Sequence, residues 1–225
     1  MFDKLVDITK ERLKTASHDL EHTFRVYNNC VKIAESEKNT QINMDVLCAA
    51  AILHDIARPK EDMHTGTDRI DHAIVGAADA KEILIALGAS TSFSEHVANA
   101  IKTHRFRGGL IPETIEAKIL FDADKLDVIG YIGIARSYMI AGEQGQNIYN
   151  DCNIDNYIKT NLVGGTVSGK IIDLKQHTPN IEFAIKNVRI PDKMFTQTGK
   201  QIAIARLNRM REFFEGLKKE IDGQR

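Results

Sequence analysis

Residues 43–57, NMDVLCAAAILHDIA, place the strongest constraint on the fold. A helix over this stretch is apolar nearly all round, so it has to be covered on every side. Its uninterrupted apolar run, Val46 to Leu53, is far below the ~18 residues that a membrane span needs. The run leads straight into His54 and Asp55, two polar groups in a segment that demands burial. Burying an ionised carboxylate without partners is strongly unfavourable, so such groups are paired or bind a metal. The chain must therefore build a helical core around this segment and bring polar partners to its end.

The rest of the chain supplies the helices. Only four prolines interrupt 225 residues, and no run of alternating strands calls for a sheet. Helical spacing is read at 2–14, at about 19–37 with Ser17 or Asp19 as cap, and at 43–57 with Asn43 as cap and Pro59 as its stop. Residues 58–70 read as a polar loop. Helices follow at 71–87 and 93–104, then from Pro112 in a first turn to about Asp127, then over 128–141. The span 142–180 is rich in Gly and Asn and weakly patterned, with a turn at Val163 to Ser168. A long helix closes the chain from about Thr196 to Ile221, and its apolar face packs internally or forms a homodimer. The expected fold is all-α and a single domain over 1–225, with a C-terminal helical extension.

Composition narrows the function. Thirty Lys+Arg against thirty-one Asp+Glu give a net charge of -1, with no basic footprint for duplex nucleic acid or an anionic membrane. The three cysteines, Cys30, Cys48 and Cys152, lie far apart, which speaks against a disulfide framework or a zinc ribbon and for a reducing, cytoplasmic setting. The N-terminal MFDKLVDITKERLK is amphipathic and of mixed charge, unlike a secretory signal.

Eight histidines are a surplus, and three apolar segments combine His or Asp: HDLEHTFRV at 18–26, ILHDI at 52–56 and FDADKLD at 121–127. They suggest a site of two imidazoles and two carboxylates, from His22, His54, Asp55 and Asp124. Such mixed ligands suit Mn, Fe, Co, Ni or Zn better than Ca. Taken singly, each of these residues also reads as a satisfied core or capping group. His54 and Asp55 are ~100° apart on a helix, so both face one cleft only if it lies between their directions.

The ordered motifs EHTFRV, LHDI and DADKLD resemble those of the HD-domain metal-dependent phosphohydrolases, over roughly residues 17–130. The resemblance implies a multi-helix bundle and a divalent cation (Mn, Co, Ni, Fe, Zn or Mg) held by His22, His54, Asp55 and Asp124, the second Asp of DAD being the one that matches. The earlier pair His18-Asp19 then reads as a cap or a supporting partner. Some families of this kind place extra histidines in the middle helices, which bind a second metal or touch the scissile phosphate; His72 and His104 stand there, with helix-end capping the even alternative. Arg58 stands where nucleotidase members carry Glu. Glu61-Asp62 comes too late for the doublet of alarmone hydrolases, and Gly130-Tyr131-Ile132 departs from the GYP of cyclic-dinucleotide phosphodiesterases.

The reaction expected is hydrolysis of a phosphate ester or anhydride of a nucleotide by metal-activated water. Asp55 orients the water, and His72 or His104 protonates the leaving oxygen. Arg58, Arg105 and Lys125 clamp phosphate, with the RFRGG loop as a basic neighbour. The alternatives are a metal-containing nucleotide-binding or regulatory module without turnover, and a phosphodiesterase for a cyclic or oligonucleotide. His64, His96 and His177 read as surface residues without a function.

Overall fold

The computed structural model describes residues 1–13, 20–37, 40–63, 70–105 and 109–224. The expected cap at Ser17 or Asp19, the His18-Asp19 pair, His64, and Arg107 and Gly108 of the basic loop lie outside the described residues. The protein is all-helical; among the described residues the sole extended pairing is an isolated antiparallel bridge, Leu162 with Ile171. Among the described residues no helix is long and apolar enough to cross a membrane. The chain forms two compact units, one of residues 1–124 with 194–199, the other of 125–193 with 200–225.

The first unit holds α1 (Phe2–Arg12), α2 (Leu20–Ser36), α3 (Met44–Leu53), α4 (Arg58–Met63), α5 (His72–Ala86), α6 (Thr91–Lys102) and most of α7 (Ile115–Leu126). The centre is α3, as its all-round apolar sequence requires. Val46, Leu47 and every residue from Ala49 to Leu53 are buried, with α1, α2 and α6 packed around them. The three consecutive alanines let those neighbours approach closely. Asn43 caps the helix, its side-chain oxygen accepting from the Val46 N–H at 3.2 Å. Further caps come from Asp71 for α5, Ser90 for α6 and Thr114 for α7, each accepting a backbone N–H of the first turn.

Three local expectations change. First, α3 stops at Leu53, earlier than Pro59 alone demands. Residues 54–57 form a tight turn in which Ile56 N–H bonds to Leu53 and Arg58 N–H to Asp55. Second, the expected loop at 58–70 begins with a six-residue helix, α4; Pro59 lies in its first turn, where a missing N–H costs nothing. Third, α7 starts at Ile115 behind the Thr114 cap, so Pro112 precedes the helix instead of opening it.

Asp122, on α7, is fully buried and gathers the segment 194–199 into this unit. It accepts from the N–H groups of Phe195 (2.9 Å) and Thr196 (2.8 Å) and from the Thr196 hydroxyl (2.6 Å). Gly199 makes room for it: a Cβ there would stand 2.5 Å from Asp122 Oδ2.

The second unit holds α8 (Gly130–Glu143), α9 (Ile154–Asn161), α10 (Pro179–Ile185) and most of α11 (Gln197–Ile221). The weakly patterned span thus contains α9 and the start of α10. These are short helices packed on a small core of Tyr157, Leu162, Ile181 and Ile185. His177, expected at the surface, is buried: its Nδ1 lies 2.7 Å from the Tyr157 hydroxyl and its Nε2 2.7 Å from Glu182. His96 is half-buried against Glu116, at 3.1 Å.

Leaving a buried hydrogen-bonding group without its partner costs ~1–3 kcal/mol. Asp122→Ala orphans two backbone N–H groups and one hydroxyl, so we expect a loss of about 3 kcal/mol in urea unfolding, with metal uptake at the His54–Asp55 turn retained.

Candidate metal centre

The turn after α3 is the focus to which four helices bring side chains. His22 comes from the packed stripe of α2, which also contains Val26, Cys30 and Ile33. His72 is the first residue of α5, and His104 follows α6, its backbone N–H bonding back to Ile101. Asp124 lies near the end of α7. It stands ~200° around that helix from Asp122, which explains why one aspartate of DAD anchors the fold and the other reaches His22. His22, His54, Asp55, His72 and His104 are all buried; Asp124 retains partial exposure.

The distances give the arrangement its logic. Nε2 of His22 lies 3.2 Å from Nε2 of His54 and 3.5 Å from Oδ1 of Asp124. Asp55 points its two oxygens in different directions. Oδ2 is 3.7 Å from Nε2 of both His22 and His54, while Oδ1 is 3.3 Å from Nε2 of His72 and 3.5 Å from Nε2 of His104. Two groups therefore have ligand atoms within 4.8 Å of one another: His22, His54 and Asp124, and Asp55, His72 and His104.

The opposite edges of the rings fix which nitrogen carries the proton. His54 Nδ1 donates to the Ala51 carbonyl at 2.8 Å, and His104 Nδ1 donates to the Ile101 carbonyl at 2.6 Å. That leaves each Nε2 with a lone pair aimed at the centre. Burial lowers the pKa of His54 to about 4, against the pull of Asp55, so the ring is neutral near pH 7. Burial also lowers the pKa of His72. The neutral His54 ring therefore presents a lone pair to the centre and no positive charge. The donor set fits a transition-metal cation. The 3.2 Å between the His22 and His54 nitrogens matches the ~3 Å expected for two donors each ~2.1 Å from one ion.

Arg58 and Arg105, expected as phosphate clamps, both reach Glu61. Arg58 Nη1 donates to Glu61 Oε2 at 2.7 Å, and Arg105 Nη1 donates to Oε1 at 2.8 Å and lies 3.1 Å from Asp71. His72 Nδ1 is 2.6 Å from the same Oε2. Burial alone would raise the Glu61 pKa, but the hydrogen bonds from His72 and Arg58 and the nearby Arg105 overcome it and bring it to about 2. Glu61 is the residue that sequence reasoning missed; its spacing of three from Arg58 was the available signal. Lys125 follows Asp124 in α7 and is half-buried.

The HD domain family matches residues 19–129, a span that contains all six residues of the centre. The uncharacterized protein YpgQ of Bacillus subtilis (strain 168) is 28% identical over 214 residues, covering 93% of this chain and 87% of YpgQ. A crystal structure of YpgQ in complex with ADP superposes with a TM-score of 0.70 at 25% identity, covering 99% of each chain. An HD-superfamily hydrolase from Bacillus thuringiensis gives a TM-score of 0.72 at 26% identity, covering 99% of this chain and 97% of that one. A predicted HD-superfamily hydrolase from an uncultured Thermotogales bacterium gives 0.64 at 28% identity, covering 97% and 91%. With the motifs, the all-helical fold and these relatives in agreement, the chain carries an HD domain over residues 19–129.

Proposed function

We propose that this protein is a divalent-metal-dependent phosphohydrolase acting on a phosphate ester or anhydride of a nucleotide. The observation that carries the reading is Asp55, a buried carboxylate whose two oxygens face two separate sets of imidazoles. In this reading His22, His54 and Asp124 hold one cation, His72 and His104 hold a second, and Asp55 serves both. A bound divalent ion would supply a water acidified to a pKa of about 7 and would polarise a phosphoryl oxygen.

The chain's own groups do the rest. Asp55 orients the ligand sphere on both sides. The carbonyls of Ala51 and Ile101 keep His54 and His104 in the tautomer that leaves Nε2 free. The Ile101 carbonyl on His104 and the Glu61 carboxylate on His72 favour these two rings as ligands over the role of proton donor to the leaving oxygen. Asp124, the partly exposed member, marks the side from which substrate enters. Arg58 and Arg105 supply positive charge beside the centre, tempered by Glu61. Support for a nucleotide comes from YpgQ, which was crystallised with ADP.

A second reading, a nucleotide-binding module without turnover, draws on one observation: Glu61 already engages both arginines. A phosphate-release screen across nucleotides, with Mn, Co, Ni or Mg restored to metal-stripped protein, separates the two. Turnover supports the hydrolase; binding by calorimetry without product supports the module.

Asp55→Ala should lower metal-dependent phosphate release at least ~100-fold, since it removes a ligand shared by both ions and exceeds the ~10–100-fold effects of supporting residues. Circular dichroism should show a folded chain, and retained turnover would sink the assignment. His104→Ala should reduce bound transition metal from about two equivalents to about one by elemental analysis, because its Nε2 belongs to one of the two ligand groups.

A further inference from the structure

We infer that Glu61 is a positioning residue that sets the tautomer of His72 against a competing donor, Arg58, and thereby decides whether the second half of the centre can take a cation. The inference rests on the metal-centre reading above and adds a residue to it.

Two groups contend for the same ring nitrogen. His72 Nδ1 lies 2.6 Å from Glu61 Oε2 and 2.9 Å from Arg58 Nη1. A guanidinium has donors only, so a hydrogen bond from Arg58 requires Nδ1 to be bare. The proton would then sit on Nε2 and point at Asp55 Oδ1, 3.3 Å away. Either tautomer leaves one bare nitrogen facing a carboxylate oxygen, and the contact is closer at Nδ1 (2.6 Å to Glu61) than at Nε2 (3.3 Å to Asp55), so the proton relieves more repulsion on Nδ1. With the proton on Nδ1 that short contact becomes a charge-assisted hydrogen bond, the stronger class. Glu61 wins the nitrogen, and Arg58 instead donates to the same Oε2 at 2.7 Å. The outcome is a bare Nε2 on His72, matching those that the backbone carbonyls impose on His54 and His104.

His72 thus differs from its companions in how its proton is placed. His54 and His104 rely on carbonyls three residues back in their own segments. His72 is the first residue of its helix, and the acceptor beside its Nδ1 comes from α4. Arg105 adds a reason for Glu61 to stay ionised, donating to its other oxygen at 2.8 Å. Glu61 itself is buried, which keeps water from replacing it as the acceptor.

The test reads the tautomer directly, in metal-free protein, by the 15N shifts of the His72 ring. The wild type is expected to carry the proton on Nδ1. Glu61→Ala hands Nδ1 to Arg58 and should move the proton to Nε2. In the same variant one of two cobalt equivalents, titrated by calorimetry, should weaken by ~10–100-fold while the other is unchanged. Arg58→Ala removes the competitor and should leave the proton on Nδ1. A wild type with the proton on Nε2 overturns the inference, as does Glu61→Ala with an unmoved proton and both equivalents at wild-type affinity. The wild-type and Arg58→Ala spectra decide the matter if Glu61→Ala does not fold, because loss of the Nδ1 proton in Arg58→Ala also overturns it. Failure of the metal-centre reading has a different signature: no bound transition metal and no metal-dependent turnover in the wild type, with the three spectra still judging Glu61.

Discussion

The first unit depends on how it accommodates Asp55. A carboxylate carried into the interior at the end of an apolar helix has to be compensated there. Many folds would do so with an arginine or a lysine. This one surrounds Asp55 with imidazoles at 3.3–3.7 Å and keeps at least His54 neutral by burying it. Neutral rings relieve little of the charge, and they leave lone pairs converging on one small volume. An arrangement of that kind is poorly suited to stability on its own and well suited to a cation. The positive side chains nearby are held one layer further out, on Glu61.

The same constraint explains the local irregularities. On a regular helix His54 and Asp55 would diverge by ~100° and share only a cleft lying between their directions. The chain breaks α3 at Leu53 and inserts a tight turn, so both reach inward. Pro59 then sits in the first turn of α4, and α4 delivers Glu61 to the rim of the centre. One turn and one short helix thus connect a ligand pair to the carboxylate that supports a third ligand.

Much of this was legible in the sequence, for physical reasons that differ by element. The burial of α3 followed from its apolar faces, and Asn43 was recognisable as a cap because its chemistry is local. His22, His54, Asp55 and Asp124 stood out as polar groups in apolar surroundings. The structure brings these four together with His72 and His104. What was not legible depends on tertiary partners or on brevity. RPKEDM is polar and only six residues long, so α4 showed no period. Glu61 takes its meaning from His72 and Arg105, 11 and 44 residues away. The positive charge of Arg58 and Arg105 was visible, but not the acid that engages them. α9 and α10, of eight and seven residues, fall below the 11–18-residue window in which helical spacing can be read. His177 lay in a polar stretch, and its burial depends on Tyr157, 20 residues earlier.

The six candidate ligands span residues 22 to 124 and come from every part of the first unit's helical framework except α1 and α4. No short peptide of the chain contains more than two of them. An ion seated there is therefore recognised by the folded unit and not by the unfolded chain. By mass action such an ion stabilises the native state by RT ln(1 + [L]/Kd), about 2.7 kcal/mol at a hundredfold excess over Kd. Under the proposed function, metal supply would then govern the lifetime of the fold as well as its chemistry, and metal-starved protein would be easier to unfold and to degrade.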